Sequence, residues 1–240
     1  MKWLSALVLL CSSLMAIGAP LRFGFGTHKP PYVFEGEPRG LEFEIVTAAA
    51  AKAGLVIEVL YAPMERLHLL LRRGQIDAIA TTNDNSGVPG FYSVPYIHYQ
   101  NVALALRSRG YKIERIADLK HYSLSAFQRA RYLLGGEYAQ MVEHHPRYRE
   151  EANQIARNRL LYSGRVDVVV GDMRIFQYFN REVGDQVDVS QALTVYPLFA
   201  PTPYRVGFVS EDLRNRFNEG LSALRESGEY MAIERKYDSY

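Results

Sequence analysis

A lone acid after a buried apolar run is the first residue here with the makings of chemistry. Asp172 directly follows the run Val166 to Gly171, whose composition predicts a strand buried on both faces. It therefore stands at a strand's carboxyl end, facing the cleft where α/β sheets take ligands. A carboxylate there is a natural acceptor for a buried amine through charge-assisted hydrogen bonds. The competing role is local, because Asp is a preferred N-cap for a helix starting at Met173.

Thr81, Thr82 and Asn83 follow the strand Ile76 to Ala80 in the same way, where ordinary turn chemistry is the alternative. Lys29 and Tyr32 stand in a Pro-rich loop. Arg129 and Arg131 lie in Phe127-Gln128-Arg129-Ala130-Arg131, after a strand and at a predicted helix start. A guanidinium at a helix N-terminus can bind an anion, although solvated surface arginine is equally plain a reading.

Other chemistries find little support. None of the six histidines forms a two-turn helical pair, and adjacent His144 and His145 point to different faces, so no metal is expected. No Gly-x-Ser-x-Gly elbow, phosphate-loop glycine pattern or zinc-protease helix motif occurs. The protein is therefore read as a non-enzyme without cofactors. A formal charge of +2 lacks the basic excess of a nucleic-acid binder.

The elements that must position these residues are legible from periodicity. Leu21 to Gly26, Val56 to Leu60 and Ile76 to Ala80 read as strands, alternating with helices over 41–53 and 64–73. This β-α-β-α-β order is the grammar of a parallel sheet with crossover helices. A second α/β block follows the apolar strand Asn101 to Arg107. It has strands over 122–126 and 166–171, and helices over 129–143, 148–163 and 173–181. After an extended Pro-rich segment, 195–203, come a strand over 204–209 and two closing helices. In the first of these, Leu213, Phe217, Leu221 and Leu224 form a core stripe. The expected organisation is a first lobe over 19–103 and 198–240, with a second lobe over 104–197 inserted into it.

Residues 1–18 read as a cleaved secretory signal peptide. They show a basic start, the apolar stretch Leu4 to Leu10, and Ala16 and Gly18 before the cut. Cys11, the only cysteine, leaves with it, so the mature chain must fold by core packing alone. Periplasmic export is expected.

Several fragments in order resemble the family-3 extracellular solute-binding proteins. They are Pro31-Tyr32, Gly40-Leu41-Glu42-Phe43-Glu44-Ile45, Leu71-Arg72-Arg73-Gly74-Gln75-Ile76-Asp77-Ala78, Tyr92-Ser93-Val94-Pro95-Tyr96, Gly164 to Val169 with Asp172, and Gly228-Glu229-Tyr230 through Lys236-Tyr237. The resemblance covers nearly all of the mature chain. It implies a type II periplasmic-binding-protein-like α/β fold, two Rossmann-like lobes joined by a two-strand hinge, that closes on an amino acid or similar small polar ligand. A monomer would then present its closed form to an ABC permease, or to a membrane signalling protein. Some proteins of the fold are cyclohexadienyl dehydratases, for which Asp172 or Glu65 would be the proton donor.

By the same resemblance Asp172 takes the ligand's α-ammonium, while Thr81, Thr82 and Asn83 serve its carboxylate. The sequence departs from the pattern at Ser86, where the family usually has a carboxylate-clamping arginine. Arg129, Arg131 and Lys29 are the candidate substitutes, and Tyr32 an aromatic wall. Tyr96 and Tyr99 are expected as hinge packing.

Overall fold

Two mixed sheets carry the chain in a computed structural model that describes residues 19–240. The expected signal peptide lies outside the described residues. In the first lobe, β1 (Leu21–Phe25) is flanked in parallel by β2 (Ile57–Tyr61) and β3 (Ala78–Thr82). Helices α1 (Leu41–Lys52) and α2 (Met64–Arg72) make the crossovers. Short β4 (Phe91–Tyr92) and β5 (Ile97–Tyr99) both pair antiparallel with a late strand, β11 (Thr202–Phe208), which also lies antiparallel against β3.

The second sheet begins with β6 (Asn101–Leu106). Its remaining strands are β7 (Leu124–Phe127), β8 (Tyr148–Glu151), β9 (Val168–Asp172) and β10 (Leu193–Tyr196). The strand order is β10-β6-β9-β7-β8, with β7, β8 and β9 parallel. Helices α3 (Ala130–Leu133), α4 (Gly136–Val142), α5 (Gln154–Tyr162) and α6 (Met173–Val183) complete this lobe. Helices α7 (Glu211–Glu226) and α8 (Glu229–Lys236) return to the first. The chain passes between the sheets at Gln100 and again across 197–201. The Asn101 side-chain amide donates to Thr202 Oγ1 at 3.0 Å, tying the two passages together.

Two helix expectations are corrected. The segment 148–163 is not one helix. Residues 148–151 form β8, because Tyr148-Arg149-Glu150-Glu151 finds a parallel partner in β7 and pairing overrides helix propensity. The segment 129–143 is broken into α3 and α4 at Gly135, whose φ of 93° suits only glycine.

The core of the first lobe packs α1 and α7 onto the sheet, and the same cluster continues across the lobe boundary into Leu133, Ile175 and Phe179. The α1–α7 crossing depends on Gly220. A Cβ there would stand 2.2 Å from the Ala49 carbonyl oxygen and 2.9 Å from Ala53 Cβ. Alanine is the better helix former, but here the clash with backbone decides. Gly220→Ala is expected to destabilise by about 1–3 kcal/mol, read as a lower thermal midpoint; an unchanged or raised midpoint would show that the helices can separate freely.

Candidate functional site

The site forms where strand ends of both lobes converge on a cavity of about 40 Å³. That is room for about three waters, and small beside the ~300–1,000 Å³ of ordinary ligand pockets. The lobes are drawn together around it by direct hydrogen bonds. Tyr32 donates its hydroxyl to Asp172 Oδ2 at 3.1 Å, the Asn83 side-chain amide donates to Leu133 O at 3.1 Å, and Glu65 N–H donates to Gln128 Oε1 at 2.9 Å.

Asp172 ends β9 and lines the cavity. Oδ1 accepts Ile175 N–H at 3.1 Å, so the residue does cap α6. Oδ2 accepts Gln100 N–H at 3.0 Å in addition to the Tyr32 hydroxyl. Burial pushes the carboxyl up to about 6, although these hydrogen bonds oppose the rise. Capping and cavity lining therefore coexist in one side chain.

Lys29 and Glu42 form a fully buried ion pair. Helix α1 has no side-chain cap; its first amides donate instead to the loop carbonyls of Pro31 and Tyr32. This seats Glu42 directly under the Pro-rich loop. The approach requires Gly40, where a Cβ would lie 2.3 Å from the Tyr32 carbonyl oxygen. Glu42 accepts from Lys29, from Thr81 Oγ1 at 2.5 Å, from the Tyr96 hydroxyl and from the Tyr99 hydroxyl at 2.6 Å. Burial alone would raise its carboxyl, but the Lys29 charge and these donors hold it below the usual range. Burial pulls the Lys29 ammonium down, and Glu42 opposes this. Lys29 thus reaches the cavity with its charge already balanced. Tyr96 and Tyr99 are more than hinge packing, since their hydroxyls complete the shell of Glu42.

The threonine turn divides its duties. Thr81 lines the cavity. Thr82 does not; its hydroxyl meets His68 Nε2 at 2.9 Å, and burial pulls that imidazole down to about 4, leaving it neutral. Among the described residues, the non-glycine positions with positive φ are Thr81 at 57° and Arg129 at 72°. Such conformations persist only where surroundings hold them. Here Glu42 and Tyr96 fix Thr81, and Arg129 N–H donates to Glu150 at 2.7 Å.

Ser86 does not line the cavity; its hydroxyl is bonded to Tyr92. Arg129 crosses from the second lobe, donates to the Ser86 carbonyl and pairs with Glu65 at 2.8 Å. Phe127 and Gln128 line the cavity, whereas Ala130 is buried in α3 outside it. Arg131 is half-exposed, pairs with Glu150 and also stands outside the lining. Glu65 is largely exposed, so of the two acids weighed as proton donors only Asp172 is buried.

Arg157, Gln154, Asn101 and Tyr204 also line the cavity and were missed in the sequence. A signal existed for Arg157, which shares the buried face of α5 with Leu161. Among the described residues no group of three or more His, Cys, Asp or Glu side chains is placed to hold a metal ion. No helix of the described residues is long and apolar enough to cross a membrane.

A histidine kinase sensor domain with similarity to periplasmic binding proteins matches this structure at a TM-score of 0.76 and 21% identity, over 92% of this chain and 96% of that one. An ancestral arginine-binding protein bound to arginine gives 0.74 at 20% identity, over 92% and 99%. The arginine-, lysine-, histidine-binding protein ArtJ from Geobacillus stearothermophilus gives 0.74 at 19%, over 92% and 96%. These likenesses show a type II periplasmic-binding-protein fold. No curated protein matches the sequence. The family model for bacterial extracellular solute-binding proteins, family 3, matches residues 21–239, and the chain belongs to that family.

Proposed function

We propose that this protein is an exported receptor whose two lobes, one on each sheet, close on one small polar ligand of amino-acid type. The observation that carries the reading is the interlobe cavity, at the carboxyl ends of β3, β7 and β9, with polar groups of both lobes facing it. Asp172 is the anchor for a ligand amine, and Thr81, Gln128 and Lys29 surround the remainder. A ligand amine replaces the Tyr32 hydroxyl on Asp172, and larger ligands require the lobes to close less far. Ligand binding then favours the closed form by differential affinity, and a membrane partner reads that form.

Membership of a solute-binding family supports delivery to an ABC permease. The likeness to a kinase sensor domain supports a second reading, in which the closed form reports to a signalling protein. Turnover of a cyclohexadienyl substrate would rest on the buried acid Asp172 alone, since Glu65 is largely exposed.

Thermal unfolding of the mature protein against amino acids, amines, carboxylates and small peptides tests the receptor reading. A ligand at a hundred times its Kd adds about 2.7 kcal/mol, which at this size is roughly 5–10 °C. We expect at least one such shift, abolished in Asp172→Ala. A panel without any shift would count against the reading.

A further inference from the structure

We propose that Arg157, on α5 of the second lobe, binds a carboxylate of the ligand. The inference rests on the receptor reading and names the chemistry its ligand must carry.

Arg157 is 2% exposed and lines the cavity. Its Nη2 donates to Gln154 Oε1, while Nη1 is buried with no hydrogen-bond partner among the described residues. A buried cationic donor without an acceptor is costly unless something supplies one. The acids nearby are committed elsewhere. Asp172 accepts three donors, and Glu151 pairs with Arg149 at 3.1 Å. Burial pulls the guanidinium down only to about 10, so it remains a cation at neutral pH.

The other cations are already charge-paired, and Arg129, whose Nε also has no hydrogen-bond partner among the described residues, stands outside the cavity lining. Lys29 is neutralised by Glu42, and Arg129 is paired with Glu65 and the Ser86 carbonyl. The backbone is also shaped around Arg157. A Cβ on Gly171 would lie 3.0 Å from Nη2, 3.1 Å from Cζ and 3.2 Å from Nη1, so glycine at 171 gives the guanidinium its room. A planar donor fork of this kind matches a carboxylate, and charge-assisted bonds to it are strong in a dry site. With Asp172 and Arg157 both on the second lobe, an amine and an acid of one ligand are held by the same lobe.

The test uses purified mature protein with acetate, propionate, glycine and β-alanine, against the uncharged acetamide and propionamide and the amine ethylamine. Calorimetry and thermal unfolding read binding, and circular dichroism checks each variant's fold. We expect the acids to bind and their amides not to. Arg157→Met should weaken acid binding about 100-fold, the usual consequence of removing one partner of a buried charged contact. Gly171→Ala keeps the charge but crowds the guanidinium, and should weaken the acids about tenfold with the fold intact. This second variant carries the test should Arg157→Met fail to fold. Acid affinity unchanged in both variants, or binding of amides or ethylamine without the acids, would overturn the role of Arg157 and leave the receptor reading standing. If no probe and no compound of the wider panel binds the wild-type protein, the receptor reading fails and Arg157's role with it.

Discussion

Glu42→Ala is expected to lower the unfolding free energy by about 3–5 kcal/mol, the cost of leaving a buried charge without its partner. At this chain length that is a fall of roughly 6–20 °C in thermal midpoint. The cause is concentrated in one place. Glu42 is fully buried and accepts Lys29, Thr81, Tyr96 and Tyr99, so its removal leaves an ammonium without its counter-charge and three hydroxyls without their shared acceptor. Replacing Lys29 by methionine in the same chain should recover much of the loss, because apolar side chains of similar volume often stabilise as well as a buried pair. A Glu42→Ala protein within about 1 kcal/mol of wild type, the value of an exposed pair, would mean that Lys29 reaches water and that the pair is not buried in solution.

The second large effect concerns pH. Burial holds the Asp172 carboxyl at about 6, against an ordinary value of 3.8. The native state therefore keeps a proton that the unfolded chain releases. Stability from this group is full below about pH 4, falls as pH rises, and is lost once pH passes 6. The difference is about 3 kcal/mol. Asp172→Asn removes the titration while keeping an oxygen for the α6 cap. Its stability relative to wild type should therefore climb by roughly that amount between pH 4 and pH 8, whatever its starting offset. Urea unfolding of both proteins across that range measures it. A relative stability that stays flat, or declines, would mean Asp172 is better solvated than its burial implies. The charge that costs stability at neutral pH is also the one that attracts a ligand amine.

How much of this was readable in the sequence depended on the kind of signal. Strand β9 and its terminal acid were legible because an apolar run ending in aspartate has few alternatives. The two-sheet organisation followed from the order of strands and helices. Strand β8 was not legible, since Tyr148-Arg149-Glu150-Glu151 has helical propensity and only its pairing with β7 makes it a strand. The Glu42 network was hidden for a related reason. Glu42 reads as an acid in a helix's first turn, favourable there by the helix dipole alone. Its partners come from positions as far along the chain as Tyr99. Arg157 showed itself only as a charge one turn before Leu161 on a predicted helix, and which acceptor it awaits is a question of tertiary placement.

The guanidinium of Arg129, lodged from the opposite lobe against the Ser86 carbonyl, also limits what position 86 can hold. An arginine gained at 86 would enter a buried space beside an existing cation, and like charges at such range repel. A double-mutant cycle of Ser86→Arg with Arg129→Met is therefore expected to be non-additive, the arginine at 86 costing less stability once Arg129 is gone.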